Sequence, residues 1–250
     1  MEKKNVLIVW DDYYHPEANY REAVRKSFEE QEPWQVTKTH RIRDILSMDP
    51  KPDLCIYFTV GCPQGEEQLS LSEQEQVKEL VESGMGMMFI HAGMACIQDD
   101  TPFFELARGR FASHPEPHYD VYCTKIPGCT HPVMEGIEPF VSPDEHYFCH
   151  VDVDCVIPLM TGASEAGTEL AAWAHTVGKG HDAGAQSSHA HQDASADGKR
   201  RKMVHGIAGL IRGIGMRERL KKCGLGMYTV HKSVEENMYE TFCGLAQMGY

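Results

Sequence analysis

Short apolar runs separated by polar, helix-like stretches recur along the first half of the chain. Residues 6–10, 54–60 and 85–90 are continuous apolar runs of strand length, as expected for strands that are buried on both faces. Residues 34–39 alternate between apolar and polar and predict one more strand. The same pattern places a turn containing Gly93 directly after the run at 85–90.

Helical patterns lie between these runs, at residues 20–29 and 42–48. The clearest helix begins with Ser72 as its N-cap and Glu75 completing a capping box, and it ends at Gly84. Strands that alternate with helices imply right-handed crossovers and a mostly parallel sheet with helices on both faces. The sequence therefore predicts a doubly wound α/β fold.

The second half of the chain is less regular. Residues 119–124, 145–153 and 170–175 predict further strands, which either extend the sheet or form an antiparallel excursion beside it. Residues 181–202 contain almost no large apolar side chain and are typical of a disordered insert, and weak helices interrupted by glycines follow. We therefore divide the chain into a domain at 1–180 and an atypical C-terminal region at 181–250, of which 181–202 is of low complexity.

Composition narrows the class of protein. The chain has 250 residues, of which 42% are hydrophobic, and no run approaches the roughly 20 apolar residues of a membrane helix. A net charge of −13 argues against nucleic-acid partners and leaves a small neutral or cationic ligand, or one held through a metal. Nine cysteines without a C-x-x-C pair predict reduced thiols, and the first residues show no signal-peptide core, so we expect a cytoplasmic protein that contacts no membrane.

Candidate chemistry collects at the ends of the predicted strands. Asp11, Asp12 and His15 follow the run at 6–10, and His91 follows the run at 85–90. In a parallel sheet these side chains project over the same edge, where α/β proteins assemble their sites. The alternative is a solvated loop with a surface histidine, and only the combination with His91 favours a functional site.

Two further groups combine imidazole with carboxylate or guanidinium. The first is the segment 110–118, with Arg110, His114 and His118, and the second is the segment 144–152. Such groups suit either a divalent metal or general acid–base catalysis, but the spacings H-x-x-E-H and H-E-x-x-H are absent. Strand alternation would place His146, His150 and Asp152 on one face and Glu145 on the other, and a half-exposed polar face explains the first three equally well.

Neither a cysteine nucleophile nor a nucleotide site is supported. A nucleophile elbow places the reactive residue at the turn itself, whereas Cys96 lies beyond the turn that contains His91 and Gly93. We therefore interpret Cys96 as structural. No G-x-G-x-x-G or P-loop pattern follows a predicted strand.

An ordered series of short motifs resembles the ThuA-like (trehalose-utilisation) family, which is built on a class I glutamine amidotransferase-like fold. The series covers about residues 5 to 180. Its members are Val9-Trp10-Asp11 with His15, Gly84-Met85-Gly86 with Ile90-His91-Ala92-Gly93, Gly109-Arg110-Phe111 with His114-Pro115, His131-Pro132-Val133-Met134-Glu135-Gly136-Ile137, Asp144-Glu145-His146-Tyr147, and Trp173 before Gly178-Lys179-Gly180.

The resemblance implies a flavodoxin-like sheet without the amidotransferase nucleophile, and it argues against glutamine amidotransferase activity. It also implies a role in carbohydrate use, with His15, His91 and Glu145 on positions that match the family's site. His15 and His91 are the candidate ligands of a divalent metal, zinc or manganese. The residues expected to contact the carbohydrate are Trp10, Asp11, Arg110, His114, His146 and Tyr147.

The C-terminal region departs from the family pattern. After Gly178-Lys179-Gly180 such proteins continue with an apolar strand, a Pro-Gly-His-Thr-like loop and a last helix, none of which is legible here. If Arg200 and Arg201 use CGN codons, a shift by one base permits the reading Asn-Ala-Val-Lys-Trp across residues 198–204, at the matching place. We therefore hypothesise a frameshift near Gly180, with the C-terminal strand and helix lost or altered.

Three interpretations of function remain open. In the first, the protein is an enzyme acting on trehalose or a related disaccharide or ketosugar, in which His15, His91 and Glu145 hold or protonate a substrate oxygen, with or without a metal. In the second, it is a non-catalytic sugar-binding or regulatory module. In the third, the frameshift leaves a non-functional product. The oligomeric state stays open, with a homo-oligomer as one option.

Overall fold

A computed structural model describes residues 3–30, 34–60, 68–134, 137–178, 202–206 and 224–227. The strands in these ranges are β1 Lys4–Val9, β2 Trp34–Thr39, β3 Leu54–Tyr57, β4 Gly86–Ile90, β5 Gly109–Ser113, β6 Tyr119–Lys125, β7 Phe140–Asp144, β8 Phe148–Val151, β9 Ile157–Ser164, β10 Gly167–Val177, β11 Lys202–Gly206 and β12 Gly224–Met227. The helices are α1 Arg21–Val24, continued by a π-helical turn at Arg25–Glu29, α2 Leu71–Ser83 and α3 Pro102–Ala107. Short 3-10 helices lie at Glu17–Asn19, Ile42–Leu46, His91–Met94, Pro132–Met134 and Val153–Cys155.

Ten of these strands form one sheet in the order β2-β1-β3-β4-β11-β12-β10-β9-β6-β7. The strands β2, β1, β3 and β4 are parallel, and β11 and β12 also run parallel to β4. From β10 onward the neighbours are antiparallel, and β5 pairs with β8 in a separate ribbon. The predicted doubly wound, mostly parallel sheet is confirmed. The strands β10, β9, β6 and β7 extend this sheet with antiparallel pairs, and β5 with β8 forms a separate two-stranded sheet.

The two faces of β1 explain why its run is apolar without interruption. Val6 and Ile8 pack with α1 on one side of the sheet, whereas Leu7 and Val9 pack with α2 and α3 on the other. All four side chains are at most 1% exposed. A strand covered by helices on both faces cannot carry polar side chains at alternate positions, because each would be buried.

Helix α2 begins two residues earlier than predicted. Ser70, not Ser72, is the N-cap: its hydroxyl accepts a hydrogen bond from the Glu73 backbone N–H, and the Glu73 carboxylate accepts one from the Ser70 N–H at 2.8 Å. The sequence offers the capping-box spacing twice, at 70/73 and at 72/75. Tertiary structure selects the first, since Arg43 donates to Glu73 at 2.7 Å. The predicted end at Gly84 is confirmed.

The single strand predicted at 145–153 is wrong. Residue Asp144 ends β7, and β8 begins at Phe148, so Glu145, His146 and Tyr147 form a link outside regular structure. The break has a topological cause, because β7 pairs with β6 in the large sheet whereas β8 pairs with β5 in the ribbon. The link crosses between them and frees Glu145 from strand alternation.

The predicted low-complexity segment at 181–202 lies outside the described residues except for its last position. Beyond it, where weak helices are predicted, the two described pieces are the strands β11 and β12. Pairing with β4 and β10 gives these short segments partners that local propensity does not reveal. Among the residues that the structure describes, no helix is long and apolar enough to cross a membrane.

Candidate functional site

The three residues predicted to be catalytic meet at the carboxyl edge of the parallel strands. His15 lies in the loop after β1, His91 directly follows β4, and Glu145 comes from the link between β7 and β8. One ligand atom from each lies within 4.8 Å of the others. His15 and His91 are 8% and 4% exposed, so both imidazoles are nearly buried. We call these three residues the His-His-Glu cluster.

The backbone at His91 is a sharp strand-to-helix turn. Ile90 is extended, His91 has a φ of 46°, and the 3-10 helix begins there. Two residues on, Gly93 lies so close to β3 that an added Cβ would come within 2.2 Å of the Tyr57 carbonyl oxygen. A strained turn of this kind presents the nucleophile in α/β hydrolases. Here it presents His91, while the exposed Cys96 lies beyond the turn and accepts a hydrogen bond from Gln68.

Asp12 orients His15. Its Oδ1 lies 2.8 Å from His15 Nδ1 and also accepts from the backbone N–H groups of Tyr14 and His15, while its Oδ2 accepts from the Thr59 hydroxyl. Burial by itself would raise the pKa of Asp12, but these hydrogen bonds and the nearby imidazole lower it well below its usual range. The ionised carboxylate therefore holds Nδ1 as a donor and leaves Nε2 of His15 for other partners.

Glu145 is ionised for a similar reason. Its Oε2 lies 3.2 Å from His91 Nε2, and its Oε1 lies 4.0 Å from His118 Nε2. The hydrogen bond with His91 lowers the pKa of Glu145 to about 2 against the opposing effect of burial, and the charges of His91, His114 and His15 add to it. The cluster thus combines an ionised carboxylate with two histidine side chains.

Tyr147 fixes the ring plane of His91. The two rings stack with centroids 4.2 Å apart, and Phe111 packs against Tyr147 at 4.4 Å. Burial raises the pKa of the Tyr147 phenol, and the negative charge of Glu145 raises it further. A neutral, buried ring at this position restrains His91 and excludes water from one side of it. His114 stacks on Tyr147 at 5.8 Å and lies exposed at the rim.

Four other residues predicted to contact substrate lie elsewhere. Trp10 is 2% exposed within the core, with the Lys38 ammonium 5.0 Å from its ring centroid. Asp11 accepts from the Glu17 N–H and lies 3.1 Å from His40 Nδ1. Trp10 and Asp11 therefore contact residues outside the His-His-Glu cluster.

Arg110 and His146 are likewise engaged in other contacts. Arg110 donates to Asp99 at 2.8 Å and contacts His150 Nδ1 at the same distance. His146 is fully buried with its Nδ1 2.6 Å from the Ser164 hydroxyl, and burial lowers its pKa. Of the six residues predicted to contact substrate, His114 and Tyr147 are the two that lie at the cluster.

The role of Asp12 as the hydrogen-bond partner that orients His15, and the exposed residues Tyr13 and Tyr14, are not predicted by the sequence patterns above. The spacing Asp12-x-x-His15 was the available signal, since a carboxylate three residues before a histidine can close a hydrogen-bonded loop. Two adjacent tyrosines inside that loop were the second signal.

By its fold and site, this is a doubly wound α/β protein with a His-His-Glu cluster at the carboxyl edge of its sheet. A histidine occupies its strand-to-helix turn. The family model for ThuA, described as trehalose utilisation, matches residues 5–208. The chain therefore belongs to the ThuA family, and that membership supports a role related to trehalose utilisation.

A solved structure agrees with this fold. A ThuA-like protein from Parabacteroides merdae superposes with a TM-score of 0.51 at 14% identity, covering 70% of this chain and 75% of that one. A ThuA-like protein from Bacteroides uniformis gives a TM-score of 0.49 at 15% identity, covering 68% and 76%. No match is found among curated protein sequences.

Proposed function

We propose that this protein acts on a small carbohydrate, trehalose or a related disaccharide or ketosugar, at the His-His-Glu cluster. The observation that carries the proposal is the convergence of one ligand atom each from His15, His91 and Glu145 within 4.8 Å at the carboxyl edge of the sheet. Ligands of α/β proteins bind at this edge. Membership of a trehalose-utilisation family supports the substrate class.

The chemistry of the donor set fits a divalent metal. Two imidazoles and a carboxylate are the protein ligands of many catalytic zinc sites, which keep the fourth position open. His15, His91 and Glu145 would hold such an ion, since one ligand atom from each lies within 4.8 Å of the others. Asp12 on His15 supplies the outer hydrogen bond that such histidines carry. A bound zinc or manganese would act as a Lewis acid on a sugar oxygen.

The protein's own residues suit proton transfer as well. Glu145 is an ionised acceptor, and His91 is held against it by the Tyr147 ring. Asp12 holds His15 in one tautomer, so its Nε2 accepts a proton or a hydroxyl hydrogen from a bound sugar. In the catalytic form of the proposal these groups bind and orient a hydroxyl or carbonyl of the substrate.

Metal content and sugar turnover test the proposal on the full chain. We expect about one equivalent of zinc or manganese in the purified protein, and its loss in His91→Ala and His15→Ala. The control is His150→Ala, because His150 is exposed and contacts Arg110 outside the cluster. Absence of metal from the unchanged protein after incubation with either ion would contradict the proposed metal site.

A non-catalytic sugar-binding or regulatory module is the second candidate, supported by the same convergence of His15, His91 and Glu145. Incubation with trehalose and with ketosugars, followed by NMR of the products, separates the two. Turnover that disappears in His91→Ala supports the enzyme. Thermal stabilisation by a sugar that remains chemically unchanged supports the module. The absence of both turnover and stabilisation would contradict a carbohydrate role.

A further inference from the structure

Two large aromatic side chains are exposed on the loop after β1, next to His15 of the cluster. Tyr13 and Tyr14 are 77% and 74% exposed, the highest values among the large apolar and aromatic residues of the described ranges. Their rings meet edge to face with centroids 4.9 Å apart. Clustered aromatic surface of this kind marks a binding site more often than scattered single residues do. We call these two residues the tyrosine pair.

The loop that carries the tyrosine pair is held in place. Asp12 Oδ1 accepts from the Tyr14 N–H at 2.9 Å, and the Asp12 N–H donates to the His15 carbonyl at 3.2 Å. The Asp12 carboxylate is anchored in turn to Thr59 and to the Val60 N–H. The aromatic rings are therefore displayed by a loop that is tied to the end of β3, and the same carboxylate orients His15.

The tyrosine pair continues directly into the cluster. The rings of Tyr14 and His15 lie 6.3 Å apart, those of His15 and His91 4.9 Å, and those of His91 and Tyr147 4.2 Å. Exposure falls along this series from the outer tyrosines to the buried imidazoles. One end thus offers exposed aromatic surface, while the other offers nearly buried imidazole rings beside the ionised Glu145 carboxylate.

We propose that the tyrosine pair forms the subsite for a second sugar ring, so that the site takes a disaccharide in preference to a monosaccharide. This inference rests on the proposed carbohydrate function. A sugar ring has an apolar C–H face and a rim of hydroxyls, and tyrosine matches both with its ring and its phenol. The exposed tyrosine pair adjoins His15 of the cluster, where the second ring of a disaccharide would extend if the first ring binds at the cluster.

Calorimetric titration with trehalose and with glucose tests the inference. Replacing both residues, Tyr13→Ala with Tyr14→Ala, is expected to weaken trehalose binding at least about tenfold, since each aromatic contact contributes a severalfold factor. Glucose affinity is expected to change less than about twofold. Tyr122→Ala is the matched control, because Tyr122 is a half-exposed tyrosine on β6 and lies outside the ring series.

Other results of the titration would overturn the inference about the tyrosine pair or the proposed function itself. Trehalose binding that survives the double replacement overturns the inference and leaves the carbohydrate function standing. Equal loss of glucose and trehalose also overturns it, because the pair would then contact the first ring. Changed zinc affinity in the double variant would show that the pair holds the loop instead. If the unchanged protein binds neither sugar, the proposed function itself fails, and the inference fails with it.

Discussion

The individual residues of the cluster are set for their roles by neighbours that the substrate need not touch. Asp12 fixes the tautomer of His15, Tyr147 fixes the ring of His91, and His91 keeps Glu145 ionised. Each of these supports is a hydrogen bond or a ring contact whose removal should leave the sheet intact. The residue scale therefore offers substitutions that separate function from folding.

Asp12→Asn is expected to weaken zinc binding about tenfold to hundredfold, the usual effect of losing the carboxylate that orients a ligating histidine. The amide can still accept from backbone N–H groups, but it no longer fixes the charge and tautomer at His15. Competition with a chromophoric chelator measures the affinity. Asp11→Asn is the matched control, since that carboxylate contacts Glu17 and His40. Equal affinities of the two variants would contradict the role of Asp12.

Glu145→Gln tests the ionisation of the carboxylate. The pKa is about 2 in the folded protein and 4.5 without the fold. Because the folded value is the lower one, the stabilisation is complete above pH 4.5 and is lost as pH falls toward about 2. The difference in free energy of unfolding between the unchanged protein and Glu145→Gln should therefore shrink from pH 5 to pH 3. Urea unfolding at several pH values measures it, with the exposed Glu116→Gln as control.

At the scale of elements, the turn after β4 depends on the close approach of the 3-10 helix at His91–Met94 to β3. Gly93→Ala would place a methyl group 2.2 Å from the Tyr57 carbonyl oxygen, so the backbone of the turn has to move. Overpacking of this kind costs about 1–3 kcal/mol. We expect a lower Tm and weaker metal binding, because the shift displaces His91.

The matched control is Gly86→Ala at the start of the same strand. There the added methyl group would lie 3.1 Å from the end of the flexible Leu54 side chain, which can move. Thermal unfolding followed by circular dichroism compares the two variants. A Tm of Gly93→Ala equal to that of Gly86→Ala would show that the turn tolerates a Cβ.

Local patterns predict β1, β3 and β4 because each is a continuous apolar run, and they predict β2 because its apolar and polar residues alternate. They also place His15 and His91 at the correct edge, since that follows from strand direction alone. The break at Glu145 could not be predicted this way. It arises because β7 and β8 pair with different partners, β6 and β5, which are distant in sequence.

Local patterns are also insufficient for the predicted substrate contacts Trp10 and Arg110. Trp10 ends an apolar run, and periodicity does not reveal that it turns back into the core. Arg110 lies in a matching motif, yet Asp99 and His150 hold its guanidinium. Such partners are set by tertiary structure, so residue type and order along the chain are insufficient to assign them.

At the scale of the whole molecule, the reading frame beyond Gly180 remains a prediction. The coding DNA tests it: we expect CGN codons at Arg200 and Arg201 and an open shifted frame that encodes an apolar strand before Thr-His-Thr-Lys. A closed shifted frame would contradict the hypothesis.

Helix α3 joins the antiparallel part of the sheet to the parallel part. Trp173 on β10 donates its indole N–H to the Ala107 carbonyl at 2.7 Å, and His175 Nε2 contacts the Leu106 carbonyl at 2.8 Å. Both side chains are buried. Because a buried carbonyl without a partner costs about 1–3 kcal/mol, these two bonds fix β10 against the C-terminal end of α3. The titration of His175 therefore bears on how the two parts of the sheet stay together.

Burial lowers the pKa of His175 to about 4, from 6.5 in the absence of the fold. Between these values the unfolded chain binds a proton that the folded protein does not, so the contribution is complete above pH 6.5 and is lost as pH falls to about 4. The full difference corresponds to on the order of 3 kcal/mol. His175→Gln, which can still donate to Leu106, should flatten the pH dependence of unfolding in this range, whereas the exposed His150→Gln should not. Equal curves for His175→Gln and the unchanged protein would show that protonation at His175 is not what weakens the junction in acid.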